Sequence, residues 1–137
     1  MGQPQCLALI VCDLVIEDQR SGNKSLIGLF NTITAQALPV GKRLYVFLSI
    51  GGMDHLVPFT LRLQGPLGQL AEMNMQPSGE KAVGPEVVHD IVIEIPNLQL
   101  PQAGAYNFEL WQEKTLMAKR GFSLVIQSPP KGPIAQG

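Results

Sequence analysis

Charged side chains are scarce in this chain. Asp, Glu, Lys and Arg make up 15% of its 137 residues, against roughly 25% in ordinary soluble domains. The net charge is only -1, so no basic stripe is available to neutralise phosphates. Neither nucleic acid nor an anionic membrane is therefore an expected partner. A near-neutral surface with few charges resists self-association poorly, and a homo-oligomer is expected. Aromatic residues are 6% of the chain, a thin supply for a carbohydrate-stacking surface. The two cysteines, Cys6 and Cys12, share one apolar run. On a strand, six steps of ~3.3 Å would hold them far beyond disulfide reach. They are expected to be small buried hydrophobes in a reducing compartment.

No apolar run approaches the ~20 residues that span a bilayer as a helix. The opening Met1-Gly2-Gln3-Pro4-Gln5 carries no positive charge, and Asp13 cuts short the apolar stretch that follows. A secretory signal is therefore not expected. Cys6 stands where a myristoylation pattern wants Ser or Thr. The expected location is the cytoplasm.

Motifs that carry chemistry are also missing. There is no H-x-H, HExxH or CxxC spacing and no GxSxG, so neither a metal site nor a nucleophile elbow is indicated. Gly22-Asn23-Lys24-Ser25 has only the tail of a phosphate loop, with no upstream glycine and no helix to follow. No cofactor, metal or catalytic residue is assigned. The polar candidates left are Asp13, Asp54 and His55. Asp54 and His55 follow Gly51-Gly52 in a loop and would need distant ligands to hold a metal. Asp13 is a charge inside an apolar strand, where pairing is expected; Arg43 and Arg120 are the partners proposed for it. His89 lies on an apolar row, and Asp90 points to the opposite face, so a structural histidine is expected.

What the chain does have is period-2 alternation. Val87, His89, Ile91, Ile93 and Ile95 share one face of a strand, with Val88, Asp90, Val92 and Glu94 on the other. Phe59, Leu61 and Leu63 alternate with Thr60, Arg62 and Gln64 in a strand over Leu56–Gln64, whose Pro58 suggests an edge. A tight turn at Gly65-Pro66-Leu67-Gly68 leads to a strand with Ala71, Met73 and Met75 inward. Cys6 to Ile16 is nearly all apolar, as expected of a strand covered on both faces. A hairpin loop around Ser21-Gly22-Asn23 returns it through Ser25 to Gln36, where Gly28 marks a bulge or a close backbone approach. Arg43 to Ile50 forms another strand, and Pro77 to Pro85 an exposed loop.

The segment Leu100 to Trp111 has a turn, then Tyr106, Phe108 and Leu110 alternating with polar neighbours. A strand opening on Tyr after such a turn is how β-sandwiches turn a corner, the ring buried and the hydroxyl bonded to nearby backbone. The last hairpin joins this strand to Leu116–Ile126. A three-residue loop around Glu113-Lys114-Thr115 places Tyr106 opposite Phe122, Glu109 opposite Lys119 and Leu110 opposite Ala118, with a bulge to accommodate Arg120 across from Phe108. That register sets Trp111 opposite Met117 on the outer face, a candidate interface.

About eight strands with turns between them and no capped 3.6-residue period predict an all-β protein. The expected fold is an antiparallel β-sandwich, immunoglobulin-like or Greek-key, with a closed β-barrel as the alternative. Residues 1–127 are expected to form one domain, and 128–137 a loose Pro/Gly tail. The expected function is non-enzymatic, binding a protein partner or a second copy. An alternative is a carbohydrate- or small-ligand-binding sandwich using Trp111, Tyr45 and Tyr106. A third is a hydrolase built on Asp13, Glu17, Asp18 and His55 around one loop.

Together, Cys12-Asp13-Leu14-Val15-Ile16-Glu17-Asp18, Gly22-Asn23-Lys24-Ser25-Leu26-Ile27-Gly28-Leu29-Phe30 and Gly104-Ala105-Tyr106-Asn107-Phe108-Glu109-Leu110 form a recognisable pattern. It resembles that of a family of small, uncharacterised, mostly bacterial proteins with CDxVxxD…GKxSLIGLF near the start and GxYxFxL near the end. Here Asn23 separates Gly22 from Lys24 and lengthens the first loop by one residue. The resemblance spans residues 5 to 126 and implies a compact cytoplasmic β-sandwich. It carries over no catalytic residue.

Overall fold

The computed structural model describes residues 4–76 and 83–127, and among them there is no helix. Nine strands follow one another: β1 (Gln5–Glu17), β2 (Lys24–Leu29), β3 (Thr32–Ala35), β4 (Val40–Gly51), β5 (Phe59–Gly65), β6 (Gly68–Met75), β7 (Val88–Leu100), β8 (Gly104–Gln112) and β9 (Thr115–Ile126). They form a four-stranded sheet, β2-β1-β4-β7, and a five-stranded sheet, β3-β9-β8-β5-β6. The sheets stay open, so the fold is a sandwich and the closed barrel is excluded. With β1, β4 and β7 taken as strands A, B and E, and β6, β5, β8 and β9 as C′, C, F and G, the order is immunoglobulin-like. Only β3 departs from antiparallel pairing, running parallel to β9.

The core lies between the sheets, where the alternating rows meet. Val11, Leu44, Val46 and Leu48 from one sheet face Phe59, Leu63, Phe108 and Leu110 from the other. Tyr106 opens β8 as the corner requires: its ring is fully buried and stacks on Phe122 with centroids 5.3 Å apart. Its hydroxyl donates to the Gln102 carbonyl and accepts the Gln102 N–H.

Several expectations need correction. The stretch from Ser25 to Gln36 is two strands, because the chain leaves the first sheet at Phe30-Asn31 and joins the second as β3; this is why nine strands replace eight. β5 is interior, between β6 and β8, and Pro58 lies just before its ladder, where a missing N–H costs nothing. Ala71 and Met73 share the core-side row of Leu63 and Leu61, yet both are exposed, because β6 is an edge strand. The last hairpin has the expected pairs Tyr106–Phe122, Glu109–Lys119 and Leu110–Ala118, but a register shift follows Leu110. Trp111 consequently pairs with Leu116, not Met117, and Glu113-Lys114 alone make the turn, with Glu113 at a φ of 52°. Met117 is the extra residue of a bulge and packs against the core. The tail at 128–137, and 77–82 of the expected loop, lie outside the described residues.

Candidate docking face

The two outward faces of the sandwich differ sharply in chemistry. On the four-stranded sheet, Val11, Val46 and Ile93 pair across toward the core, so the alternate positions point away from it. Those outward rows read Leu29–Cys12–Tyr45–Glu94, Ile10–Phe47–Val92, Ile27–Leu14 and Ser25–Ile16. Most members are apolar. Leu29, Ile16, Ile27 and Val92 are 60%, 47%, 45% and 37% exposed, while Ile10, Leu14, Tyr45 and Phe47 are half-buried. Cys12 at the centre is 0% exposed. The exposed members thus lie along β2, the end of β1 and β7, and the half-buried ones along β1 and β4. The sequence foresaw β1 covered on both faces; among the described residues it is covered on one only.

Charge at the margin of this face is confined to a few residues. Arg43 Nη2 meets Glu94 Oε2 at 2.9 Å and donates to the Tyr45 hydroxyl at 2.9 Å. Tyr45 and then Glu94 push the Arg43 pKa up from its ordinary value. Glu17 and Lys24 are register partners at the end of β1, on the parity of Val11 and not on that of the outward rows. Beyond the apolar rows, Ser49 Oγ donates to Asp90 Oδ1 at 2.9 Å.

β2 owes its position to Gly28. This residue has a φ of 76°, and a Cβ built on it would lie 2.4 Å from Asp13 Oδ2 and 2.9 Å from Asp13 Cβ. Only glycine takes that conformation freely and lets the strands approach so closely. The close approach foreseen for Gly28 is therefore present. It leaves Ile27 and Leu29, its two neighbours, paired with Leu14 and Cys12 on the outward face.

The outer face of the five-stranded sheet is polar. Trp111 Nε1 donates to Glu109 Oε1 at 2.9 Å, and Thr60 Oγ1 to Asn74 Oδ1 at 2.9 Å. The Arg62 guanidinium lies over the Trp111 ring at 5.0 Å with its Nε 3.8 Å from Glu72 Oε1. Trp111 is thus covered by Arg62, and Met117 faces the core, so the structure does not bring this expected pair together.

The remaining candidates scatter. Asp13 pairs with Lys42 Nζ at 2.8 Å, correcting the proposed Arg43 and Arg120: Arg43 takes Glu94, and Arg120 donates to Asn31 Oδ1 at 3.0 Å. Lys42 also lies 5.1 Å from the Phe30 ring centroid. Asp13 is exposed, because it lies on the row of Val11 but toward the end of the sandwich. His55 Nδ1 and Asp54 Oδ1 are 2.7 Å apart on an exposed loop between β4 and β5. That loop adjoins Gln5, since Gly51 pairs with Gln5, whereas Glu17 and Asp18 lie at the other end of β1. Twelve strand steps separate the two ends by roughly 40 Å, so the four residues of the hydrolase reading do not gather around one loop. Among the described residues no three His, Cys, Asp or Glu side chains are grouped to hold a metal ion. Tyr106, offered as a stacking platform, is buried. Cys6 is half-buried and Cys12 buried, both as free thiols. Burial raises both pKa values above the ordinary 9.0, opposed by hydrogen bonds to backbone carbonyls.

The apolar outer face was missed in the sequence although its signal was present. An unbroken apolar run such as β1 demands two covers, and the described residues supply one.

Solved structures share this fold at very low identity. The DNA glycosylase AlkC of Pseudomonas fluorescens, bound to DNA with an abasic-site analogue, matches with a TM-score of 0.54 at 9% identity, over 90% of this chain and 31% of that one. A β-glucosidase of Listeria innocua matches at 0.50 and 7%, over 93% and 17%, and one of Erythrobacter marinus at 0.50 and 12%, over 90% and 16%. The chain thus spans less than a third of the length of each of these proteins, and the likeness is one of fold alone. No curated protein matches it in sequence. The profile of a family of unknown function covers residues 7–125, nearly the whole sandwich, and the chain belongs to that family, DUF6941.

Proposed function

We propose that this protein is a non-enzymatic docking module that works through the outer face of the β2-β1-β4-β7 sheet. One observation carries the reading: contiguous outward rows of that sheet are apolar and partly open, while the opposite face is laced with hydrogen bonds and an arginine–tryptophan stack. Apolar area turned to water is the usual mark of a surface that another molecule covers. Tyr45 and Trp111 each carry an arginine over the ring, at 5.5 and 5.0 Å, which leaves a carbohydrate-stacking reading without a free platform. Two free thiols on one strand suit a reducing compartment, the cytoplasm. Balanced charge gives nucleic acid or an anionic bilayer nothing to grip.

The test is dye binding and capture with a face variant. Ile27→Lys combined with Leu29→Lys is expected to abolish both the fluorescence of an apolar dye on the native protein and retention of whatever the wild type retains. Unchanged dye binding and retention in the folded variant would show that this face is not the docking surface.

A further inference from the structure

We infer that Met73 is a modification site: it takes an oxygen atom from hydrogen peroxide or a like two-electron peroxide, and its sulfoxide loosens the edge strand β6. Four methionines lie among the described residues, and the fold sorts them by access. Met53 is 1% exposed and Met73 37%, while Met75 and Met117 are half-buried against the core. A peroxide must reach the sulfur to oxidise it, so exposure sets the order of reaction.

The row on which Met73 lies gives its oxidation a consequence. Met73 pairs with Leu61, Ala71 with Leu63 and Met75 with Phe59, all on the parity that faces the core. The sheet containing β6 has five strands, and the sheet facing it has four and ends at β7. Between these two edges the core opens through a small apolar mouth, with Leu61, Leu63, Ala71, Met73, Ile95 and Phe108 in its lining. Leu61, Leu63 and Phe108 are buried, so Met73 is the exposed rim of a passage to the core.

Little else holds β6. Its ladder runs to β5 alone, and every residue from Gly68 to Asn74 is exposed. On the outward side its ties are Thr60 Oγ1 to Asn74 Oδ1 at 2.9 Å and Arg62 Nε 3.8 Å from Glu72 Oε1. Edge strands with few buried contacts open at low free energy, so a change in the core-side row is felt along the strand.

The step balances with peroxide as the sole co-reactant. A lone pair of the thioether sulfur attacks one peroxide oxygen. The S–O bond forms as the O–O bond breaks, and the leaving hydroxide takes up the remaining proton and departs as water. Sulfur is oxidised by two electrons and the peroxide is reduced by two. The product is a polar, chiral sulfoxide, which methionine sulfoxide reductases return to the thioether. An apolar rim offers the new oxygen no hydrogen bond, so the sulfoxide turns toward water and the row that backs β6 against the core is weakened.

Peptide mass spectrometry of the native protein at rising peroxide follows each methionine. Met73 is expected to react first, at least about 10-fold faster than Met53 and ahead of Met75 and Met117. In protein carrying one added oxygen, at Met73, amides of β6 are expected to exchange hydrogen about 10-fold faster, with those of β8 unchanged. Reductase treatment should restore the slow exchange. Met73→Leu keeps volume and apolarity, and under the same peroxide its β6 should exchange as in untreated protein. Circular dichroism establishes that each sample is folded. If Met53 or Met117 reacts as fast as Met73 in the folded protein, the site assignment is overturned. Exchange in β6 that Met73 oxidation leaves unchanged, or that quickens equally in Met73→Leu, overturns the link between this sulfur and the strand.

Discussion

Replacing Gly28 with alanine sets a single methyl group against the closest approach in the first sheet. The backbone there has a φ of 76°, and the added Cβ would lie 2.4, 2.8 and 2.9 Å from Asp13 Oδ2, Cγ and Cβ. The left-handed conformation alone costs an L-residue about 1–2 kcal/mol. Moving Asp13 aside breaks its 2.8 Å pair with Lys42, which as a surface pair contributes below about 1 kcal/mol. The Cβ–Cβ contact persists and adds some strain. Reduced freedom of the unfolded chain offsets roughly 0.4–1 kcal/mol. The net expectation is a loss of about 2 kcal/mol, or roughly 6–8 °C in melting temperature for a domain of this size. Asp13→Ala alone should cost about 0.5 kcal/mol. In the double variant the carboxylate is gone before the methyl arrives, so the combined loss should fall short of the sum by about 1 kcal/mol. Urea denaturation of all four proteins measures that cycle. If Gly28→Ala lies within about 0.5 kcal/mol of wild type, or the two changes add, the close approach does not govern the strand pair.

Other expectations concern separate parts of the sandwich. Tyr106→Phe keeps the stack on Phe122 but strips both bonds to Gln102, so urea denaturation should show a loss of about 1–2 kcal/mol with an unchanged slope. Trp111 is the sole tryptophan; Arg62→Ala should uncover its ring and shift its emission to the red. Cys6 and Cys12 have pKa values raised by burial, so the unfolded chain loses these protons first. Their contribution to stability is full below the ordinary thiol value of 9.0 and declines as pH rises toward the raised values. A urea midpoint that falls above pH 9 in the wild type, and falls less with both cysteines changed to serine, is the expected record. Alkylation of Cys12 in the native protein should be slow and should follow global unfolding.

Alternation made much of this fold legible. In β7 and in the β8–β9 pair, a slip by one residue would turn every buried side chain to water, so pattern dictates register. The switch of sheets at Phe30-Asn31 was hidden because Leu29, Phe30 and Ile33 look alike in a strand of either sheet. Bulges at Leu7, Leu70 and Met117 add one residue to a strand without any change in composition. Met117 shows the cost: one inserted residue moved Trp111 to a different neighbour. The pairing of Asp13 depended on where the second sheet ends, which no local pattern records. The apolar outer face was legible as a demand, in the unbroken run of β1, but a sequence does not say whether the cover belongs to the same chain.

The routes into and out of the sandwich have a practical consequence. Pro4, Gln5 and Cys6 line a cleft with Gln112, Thr115 and Met117 beside the last turn, while β9 runs from that turn to Ile126 at the other pole. Eleven strand steps set the two poles roughly 36 Å apart. The polypeptide therefore passes through like thread through a bead. Repeats of this unit joined directly at Gln5 and Ile126 would string out as a rod.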